Sequence, residues 1–320
     1  MKRSAKDWAA PREKNIPLVA IVGPTGVGKT EVACFLAENL NGEVVNFDSI
    51  QVYKHLEIGA AKPTPEELAR APHHLLGILE LDEEFNAARF VELADAAIAE
   101  IHQRGRQPIL AGGTGLYLKA LLHGLFEVGD VSEARQKLKE RLQKEGLASL
   151  YRELQEIDPE TAGKISPRDW VRTLRALEVY YTTGKTFSEL ARAHAFRKRR
   201  YPCLKIGLYL PREELYQRLN SRVDKMLEAG FLDEVRSLLE RGYSPELKPL
   251  QSIGYRHMIA YLQGKVPFEE AVRLMKRDTR RYAKRQLSWF RKDPEVKWFL
   301  PREKEKILQE AREFLNAHRL

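Results

Sequence analysis

Only two cysteines occur among the 320 residues, Cys34 and Cys203, and neither has further ligands at the spacing of a zinc site. With so few thiols, a reduced, cytoplasmic setting and no structural zinc site are expected. No run of 18 apolar residues is present, so no membrane span is expected. The opening stretch, MKRSAKDWAAPREKN, is basic but holds no continuous apolar segment. It reads as a loose N-terminal extension and not as a secretory signal. Internal repeats and low-complexity tracts are also missing.

What is present describes a globular protein. Hydrophobic residues make up 43% and charged residues 31%, enough for a large core in one to three domains. The net charge of +9 is unevenly spread. Nine Lys or Arg fall between Arg273 and Lys292, against Asp278 within that stretch and Asp293 just beyond it. A second run, RKRR, occupies 197–200. A charge run is usually a solvated helix face, but this one interleaves Tyr282, Trp289 and Phe290. A nucleic-acid partner follows as the expectation.

The runs IPLVAIV (16–22), EVVNFDS (43–49), QPILAGG (107–113) and LKIGLYL (204–210) read as buried strands separated by helical stretches. Such alternation predicts an α/β fold with a parallel sheet and helices on both faces. Between about Leu122 and Phe196 the periodicity is helical throughout, which predicts an all-helical insertion. The expected domains are therefore a core of 1–121 and 196–320, and an insertion of 122–195.

GPTGVGKT, at Gly23–Thr30, lies between the first strand and a helix. Its glycines let successive backbone N–H groups converge on phosphate oxygens. Lys29 adds a point charge, and the Thr30 hydroxyl is a ligand for Mg²⁺. The following helix points its positive end at the same place. A nucleotide hydrolase usually ends a neighbouring strand in an acid that holds Mg²⁺. Here the third strand ends in Gly112 and Gly113, and no guanine-specifying Asn/Thr-Lys-x-Asp occurs. That leaves a kinase-like P-loop fold that transfers a group from a phosphate-bearing donor.

Asp48 sits at the carboxyl end of the second strand, where open α/β sheets bind ligands. It is placed to act as a general base or to help hold Mg²⁺; a helix N-cap is the plainer alternative. His73 and His74 are adjacent, a poor geometry for one metal ion, so a loop role is expected.

GPTGVGKT, DSIQVY, GAAKPT, APHHLL, AGGTGLYLKALL, RDWVRTLRALEVY, GFLDEV, QSIGYRH and AKRQLSWFR, in this order, resemble the bacterial-type tRNA dimethylallyltransferase (tRNA isopentenyltransferase) family. The resemblance covers nearly all of the chain after residue 15. It implies transfer of a dimethylallyl group from dimethylallyl diphosphate to the exocyclic amine of the adenosine 3′ to the anticodon, in tRNAs reading codons that start with U. On this reading Gly23, Pro24, Thr25, Gly26, Val27, Gly28, Lys29 and Thr30 hold a diphosphate that leaves, with Mg²⁺ on Thr30. Thr25 and Arg222 reach its oxygens, and Asp48 is the base.

The resemblance also implies a reaction channel at which Asp48, Ser49, Ile50 and Gln51 meet the unstacked adenine, Gln51 through a bidentate amide. Thr114 shares that channel, with a helix N-cap as its alternative. The remaining tRNA contacts fall on Arg172 and Arg175, on Gln251, Gly254, Tyr255 and Arg256, and on Lys284, Arg285, Gln286, Trp289 and Arg291. Glu178 offers Arg175 an intrahelical partner instead. Tyr282 and Trp289 lie at core-facing helical spacing, which leaves the arginines outward for phosphates. A monomer that clamps an anticodon stem-loop is expected. The rivals are an ATP-dependent kinase of a nucleotide or RNA end, an adenylate isopentenyltransferase, and a tRNA-binding module without catalysis.

Overall fold

The computed structural model describes residues 15–195 and 199–318. The first fourteen residues, and Arg197 and Lys198 of the RKRR run, lie outside the described residues. The described residues form two compact units, one within 123–200 and the other of 15–122 together with 201–318. No described helix is long and apolar enough to cross a membrane.

The larger unit is built on a six-stranded sheet in the order β3-β2-β4-β1-β5-β6. Its strands are β1 (Leu18–Val22), β2 (Gly42–Asn46), β3 (His73–His74), β4 (Gln107–Ala111), β5 (Cys203–Leu208) and β6 (Val296–Phe299). Every pairing is parallel. β1 is buried along its whole length, which is why its sequence is a continuous apolar run without alternation. Its side chains nevertheless divide between two cores. Leu18, Ala20 and Val22 pack with helix α3 (Ala87–Gln103), whereas Val19 and Ile21 pack with α1 (Lys29–Leu40) and α14 (Lys304–Ala317). In α3 the buried residues Phe90, Val91, Ala94, Ala97, Ile98 and Ile101 recur at helical spacing. Each large one contributes about 2 kcal/mol of burial. The Asn86 side chain starts this helix by accepting the Arg89 N–H at 3.0 Å.

The four strands expected from sequence are β1, β2, β4 and β5. The other two are short strands at the sheet's edges. β3 is a pair of histidines registered against Val44 and Val45, so His73 and His74 belong to a strand and not to a loop. A two-residue polar strand has no periodicity to detect; its partner supplies it. β6 (VKWF) lies along β5 and follows a stretch dominated by charge.

The unit of residues 123–200 contains α5 (Ser132–Glu145), α6 (Leu147–Ile157), α7 (Pro159–Ala162), α8 (Trp170–Thr183) and α9 (Phe187–His194), with no strand among its described residues. Leu138, Leu150, Leu154, Leu174 and Leu177 form a core of its own. The remaining helices, α2 (Pro65–Arg70), α4 (Gly115–His123), α10 (Arg212–Glu228), α11 (Phe231–Glu240), α12 (Tyr255–Leu262) and α13 (Phe268–Phe290), complete the chain.

Candidate active site

The loop after β1 turns on glycines. Gly23, Gly26 and Gly28 have φ of 143°, 77° and 104°, values that a side chain disfavours. At Gly23 a Cβ would also lie 2.7 Å from the Leu208 carbonyl oxygen, so β5 closes against the loop there. α1 begins at Lys29, immediately after the last of these glycines. The Lys29 ammonium folds back over the loop and donates to Gly23 O (3.1 Å) and Pro24 O (2.9 Å). Burial pushes its pKa down to about 8, a fall opposed by the nearby Asp48 carboxylate and reinforced by Arg222.

Arg222 comes from α10. Its guanidinium donates to Thr25 Oγ1 at 3.3 Å, and burial holds its pKa below the ordinary arginine value. The backbone N–H of Thr25 donates to Gln286 Oε1 at 2.8 Å, and Gln286 Nε2 donates to Gly113 O at 3.1 Å. Gln286 is therefore a buried brace between the phosphate loop and the end of β4. That corrects its expected place among RNA-contacting residues: both ends of the amide are already engaged inside the protein. Gly113 must lack a side chain for this, because a Cβ would fall 2.1 Å from Gln286 Nε2.

Two backbone bonds lace the strand ends together. Phe47 N–H donates to Ala111 O (3.0 Å), and Gly112 N–H donates to Ile21 O (3.2 Å). Asp48 follows directly. Its Oδ1 accepts the N–H groups of Ile50 (2.8 Å) and Gln51 (3.3 Å), so the capping role is real but uses one oxygen. Oδ2 has no hydrogen-bond partner among the described residues. The phenols of Tyr117 and Tyr282 both have raised pKa values, from burial first; the Asp48 charge comes next at Tyr282 and, after Tyr53, at Tyr117.

Thr25, Lys29, Thr30, Asp48, Gln51 and Arg222 line a single cavity of about 690 Å³. Its wall reaches Ala111 and Gly112 at the end of β4. Thr114 comes two residues later, and its Oγ1 is buried without a hydrogen-bond partner, so it does not cap α4. Tyr282, expected to pack only on the core, also lines the cavity. Among the described residues no three His, Cys, Asp or Glu side chains are grouped so as to hold a metal ion. The Thr30 hydroxyl is thus the candidate protein ligand here for Mg²⁺, and a hard ion that keeps its waters needs few protein oxygens beside phosphate. The donor set fits a hard ion that would take its other ligands from water or a phosphate.

The residues expected at RNA divide by exposure. Ser49 and Ile50 are half-buried beside Asp48. Gln51 donates both protons of its Nε2 to Ala60 O (3.1 Å) and Ala61 O (2.8 Å). A bidentate amide is therefore not available; only Oε1 remains. Tyr255 is fully buried and donates to Glu234, which removes it from the RNA-facing set. Gly254 is also buried, with φ of 98°. Gln251 is exposed and donates to Pro245 O (2.7 Å), and exposed Arg256 pairs with Asp278 at 2.7 Å. On α13, Lys284 and Arg285 are exposed, as is Arg291 just past its end. Trp289 is 46% exposed and does not sink into the core. In the smaller unit Arg172 pairs with Asp169 (3.4 Å) and Arg175 with Glu178 (3.2 Å), while both guanidiniums stay accessible. Trp170, at the start of the same helix, is 51% exposed.

A family model of IPP transferases matches residues 51–293. A protein named tRNA dimethylallyltransferase 2 from Syntrophus aciditrophicus is 49% identical over 301 residues, covering 94% of this chain and 97% of its own. A tRNA dimethylallyltransferase from Geobacter sulfurreducens is 50% identical over 88% of this chain and 91% of its own. Among solved structures, the tRNA isopentenylpyrophosphate transferase of Bacillus halodurans superposes with a TM-score of 0.72 at 41% identity, over 95% of this chain and 98% of that one. A eukaryotic dimethylallyltransferase acting on tRNA gives a TM-score of 0.81 at 32% identity, over 95% and 81% of the two chains.

Proposed function

This chain belongs to the IPP transferase family, and we propose that its cavity transfers a dimethylallyl group from dimethylallyl diphosphate to tRNA. The acceptor is the exocyclic amine of the adenosine 3′ to the anticodon, in tRNAs reading codons that begin with U, and diphosphate is released. One observation carries this reading. Asp48, with one oxygen unpartnered among the described residues, lines the same cavity as the Lys29 and Arg222 cations.

The two ends of that cavity make separate contributions. The allylic C–O bond breaks as a C–N bond forms, and negative charge accumulates on the departing diphosphate. Lys29, Arg222, the Thr25 hydroxyl and the loop's backbone N–H groups meet that charge with dipoles fixed in advance. The Thr30 hydroxyl would hold Mg²⁺, which would supply neutralising charge to the departing diphosphate. At the other end the amine is a weak nucleophile, because its lone pair is shared with the purine ring. Asp48 Oδ2 accepts its proton as the new bond forms. A phosphoryl-transfer reading loses its support at the end of β4, where glycines stand in place of an acid.

The decisive test is mass spectrometry of unmodified tRNA incubated with the protein, Mg²⁺ and dimethylallyl diphosphate, with a parallel ATP reaction. One five-carbon prenyl group on the anticodon-loop adenosine is the expected gain. Phosphate transferred from ATP, with no prenyl gain, would replace this reading with a kinase.

RNA affinity is assigned to exposed cations, with Arg172 and Arg175 in the smaller unit and Lys284, Arg285 and Arg291 in the larger. Replacing Arg172 and Arg175 by Glu is expected to flatten the dependence of log affinity on log salt by about 1.5, the loss of two phosphate contacts. Filter binding across a salt series measures it. Unchanged affinity at low salt would remove this helix from the RNA interface.

A further inference from the structure

Three sequence motifs that the reaction itself does not use, GAAKPT (59–64), GFLDEV (230–235) and QSIGYRH (251–257), converge on one carboxylate. Glu234, in the first turn of α11, accepts the backbone N–H groups of Glu57 (3.1 Å), Ile58 (2.7 Å) and Gly59 (3.2 Å). The Tyr255 hydroxyl donates to the same carboxylate at 2.6 Å. The chain is also pressed against these helices sterically. A Cβ at Gly59 would lie 2.1 Å from the Phe231 ring and 2.6 Å from that of Tyr255. After this clamp the backbone turns, Ala61 N–H donating to Ile58 O at 2.9 Å, with Ala61 at φ 50°. The turn aims the carbonyls of Ala60 and Ala61 at Gln51 Nε2.

We infer that Glu234 is a positioning residue for base recognition, acting through the 57–61 turn on the Gln51 carboxamide. The inference rests on the function proposed above. Two carbonyl oxygens can be met only by the NH₂ end of an amide, so the turn dictates which way Gln51 faces. Oε1 is then the end left for a ligand. Asp48, three residues earlier, presents Oδ2. The adenine-binding side of the cavity therefore offers two acceptors from these residues. Two acceptors suit an exocyclic amine with two protons and repel a purine that carries a carbonyl oxygen there. If the turn were released, the amide would be free to rotate and offer a donor, and the discrimination would weaken. A carboxylate that accepts four hydrogen bonds, one from a buried tyrosine, is more than a surface turn needs; the turn it fixes supplies Ala60 and Ala61 to the cavity wall, which is what gives it this role.

The test measures Kd of the full chain for two synthetic anticodon stem-loops, one with adenosine and one with inosine at the target position. The native chain is expected to favour adenosine. Glu234→Gln is expected to reduce that preference about fivefold, the value of one hydrogen bond. Gln51→Ala should reduce it similarly, and the double variant no further than Gln51→Ala alone, because the two act in series. If Glu234→Gln weakens both stem-loops equally, or its effect adds to that of Gln51→Ala, Glu234 is a structural brace and the inference fails. Tyr255→Phe keeps the ring and removes one donor to Glu234. It provides the same reading should Glu234→Gln not fold: a reduced preference supports the inference and an unchanged one overturns it. A native chain that prenylates tRNA yet binds both stem-loops alike also overturns it. A native chain with no prenyl transfer at all defeats the functional reading first.

Discussion

Asp48→Asn is expected to lower kcat about 10³-fold, far more than the roughly fivefold loss of tRNA affinity from exchanging one acceptor for a donor at the adenine amine. The choice of asparagine follows from how the carboxylate is used. Oδ1 is committed to the N–H groups of Ile50 and Gln51, and an amide oxygen can still accept both, though less strongly than a carboxylate oxygen. The turn after β2 therefore survives the substitution. What disappears is the basic oxygen, replaced by an NH₂ that cannot take a proton from the adenine amine. Asp48→Ala removes both functions and is expected to lose additional stability through the two freed N–H groups, about 1 kcal/mol each. The pair of variants separates the capping role from the chemical one. Single-turnover kinetics with bound tRNA measures the chemical step alone. If Asp48→Asn turns over at close to the native rate and only Asp48→Ala fails, Asp48 is a cap and the base lies elsewhere. Tyr282 and Tyr117, phenols pushed up by burial and by Asp48 itself, would be poor replacements, since neither ionises readily there.

The features legible in the sequence are those whose signal is local. A phosphate loop is eight consecutive residues, and its glycines, lysine and threonine act where they stand. β1, β2, β4 and β5 are continuous apolar runs because a parallel sheet buries both faces. Asp48 was legible because the end of a central strand is a position that the run itself reveals. The rest depends on partners far along the chain. Gln286 braces Thr25 across 261 residues; its helical spacing from Met275 and Tyr282 hinted at an inward face, but the partner it meets there lies far along the chain. The resemblance places Tyr255 among the tRNA contacts, and only the fold shows its hydroxyl turned to Glu234. Gln51 had been given two free ends; the carbonyls that occupy one of them belong to a turn whose conformation no local rule forecasts. β3 exists only because β2 offers it an edge.

Lys29→Met carries the second large expectation, a fall in kcat/KM of about 10²-fold to 10³-fold, the cost of removing one preorganised charge from a developing anion. Its pH dependence identifies the cause. In the free protein burial brings the Lys29 ammonium to about 8, so the group is cationic below that value and neutral above it. On the proposed function the cationic form is the one that binds diphosphate. Affinity for inorganic diphosphate should therefore fall as pH rises through 8, by up to about tenfold for each further unit. The ligand gains charge of its own over the same range, so the informative quantity is the ratio of native to Lys29→Met affinity at each pH. That ratio is expected to be flat below 7 and to decline above 8. Isothermal titration with diphosphate at pH 6.5, 8 and 9.5 suffices. A ratio that stays constant to 9.5 would mean that Lys29 remains charged throughout and that its cavity is wetter than the buried contacts to Gly23 and Pro24 require. Binding of diphosphate should in turn raise the lysine's proton affinity, since the anion stabilises the charged form. The loop thus takes up a proton on binding above pH 8, and buffer-dependent binding heat in native protein, absent from Lys29→Met, would register it directly.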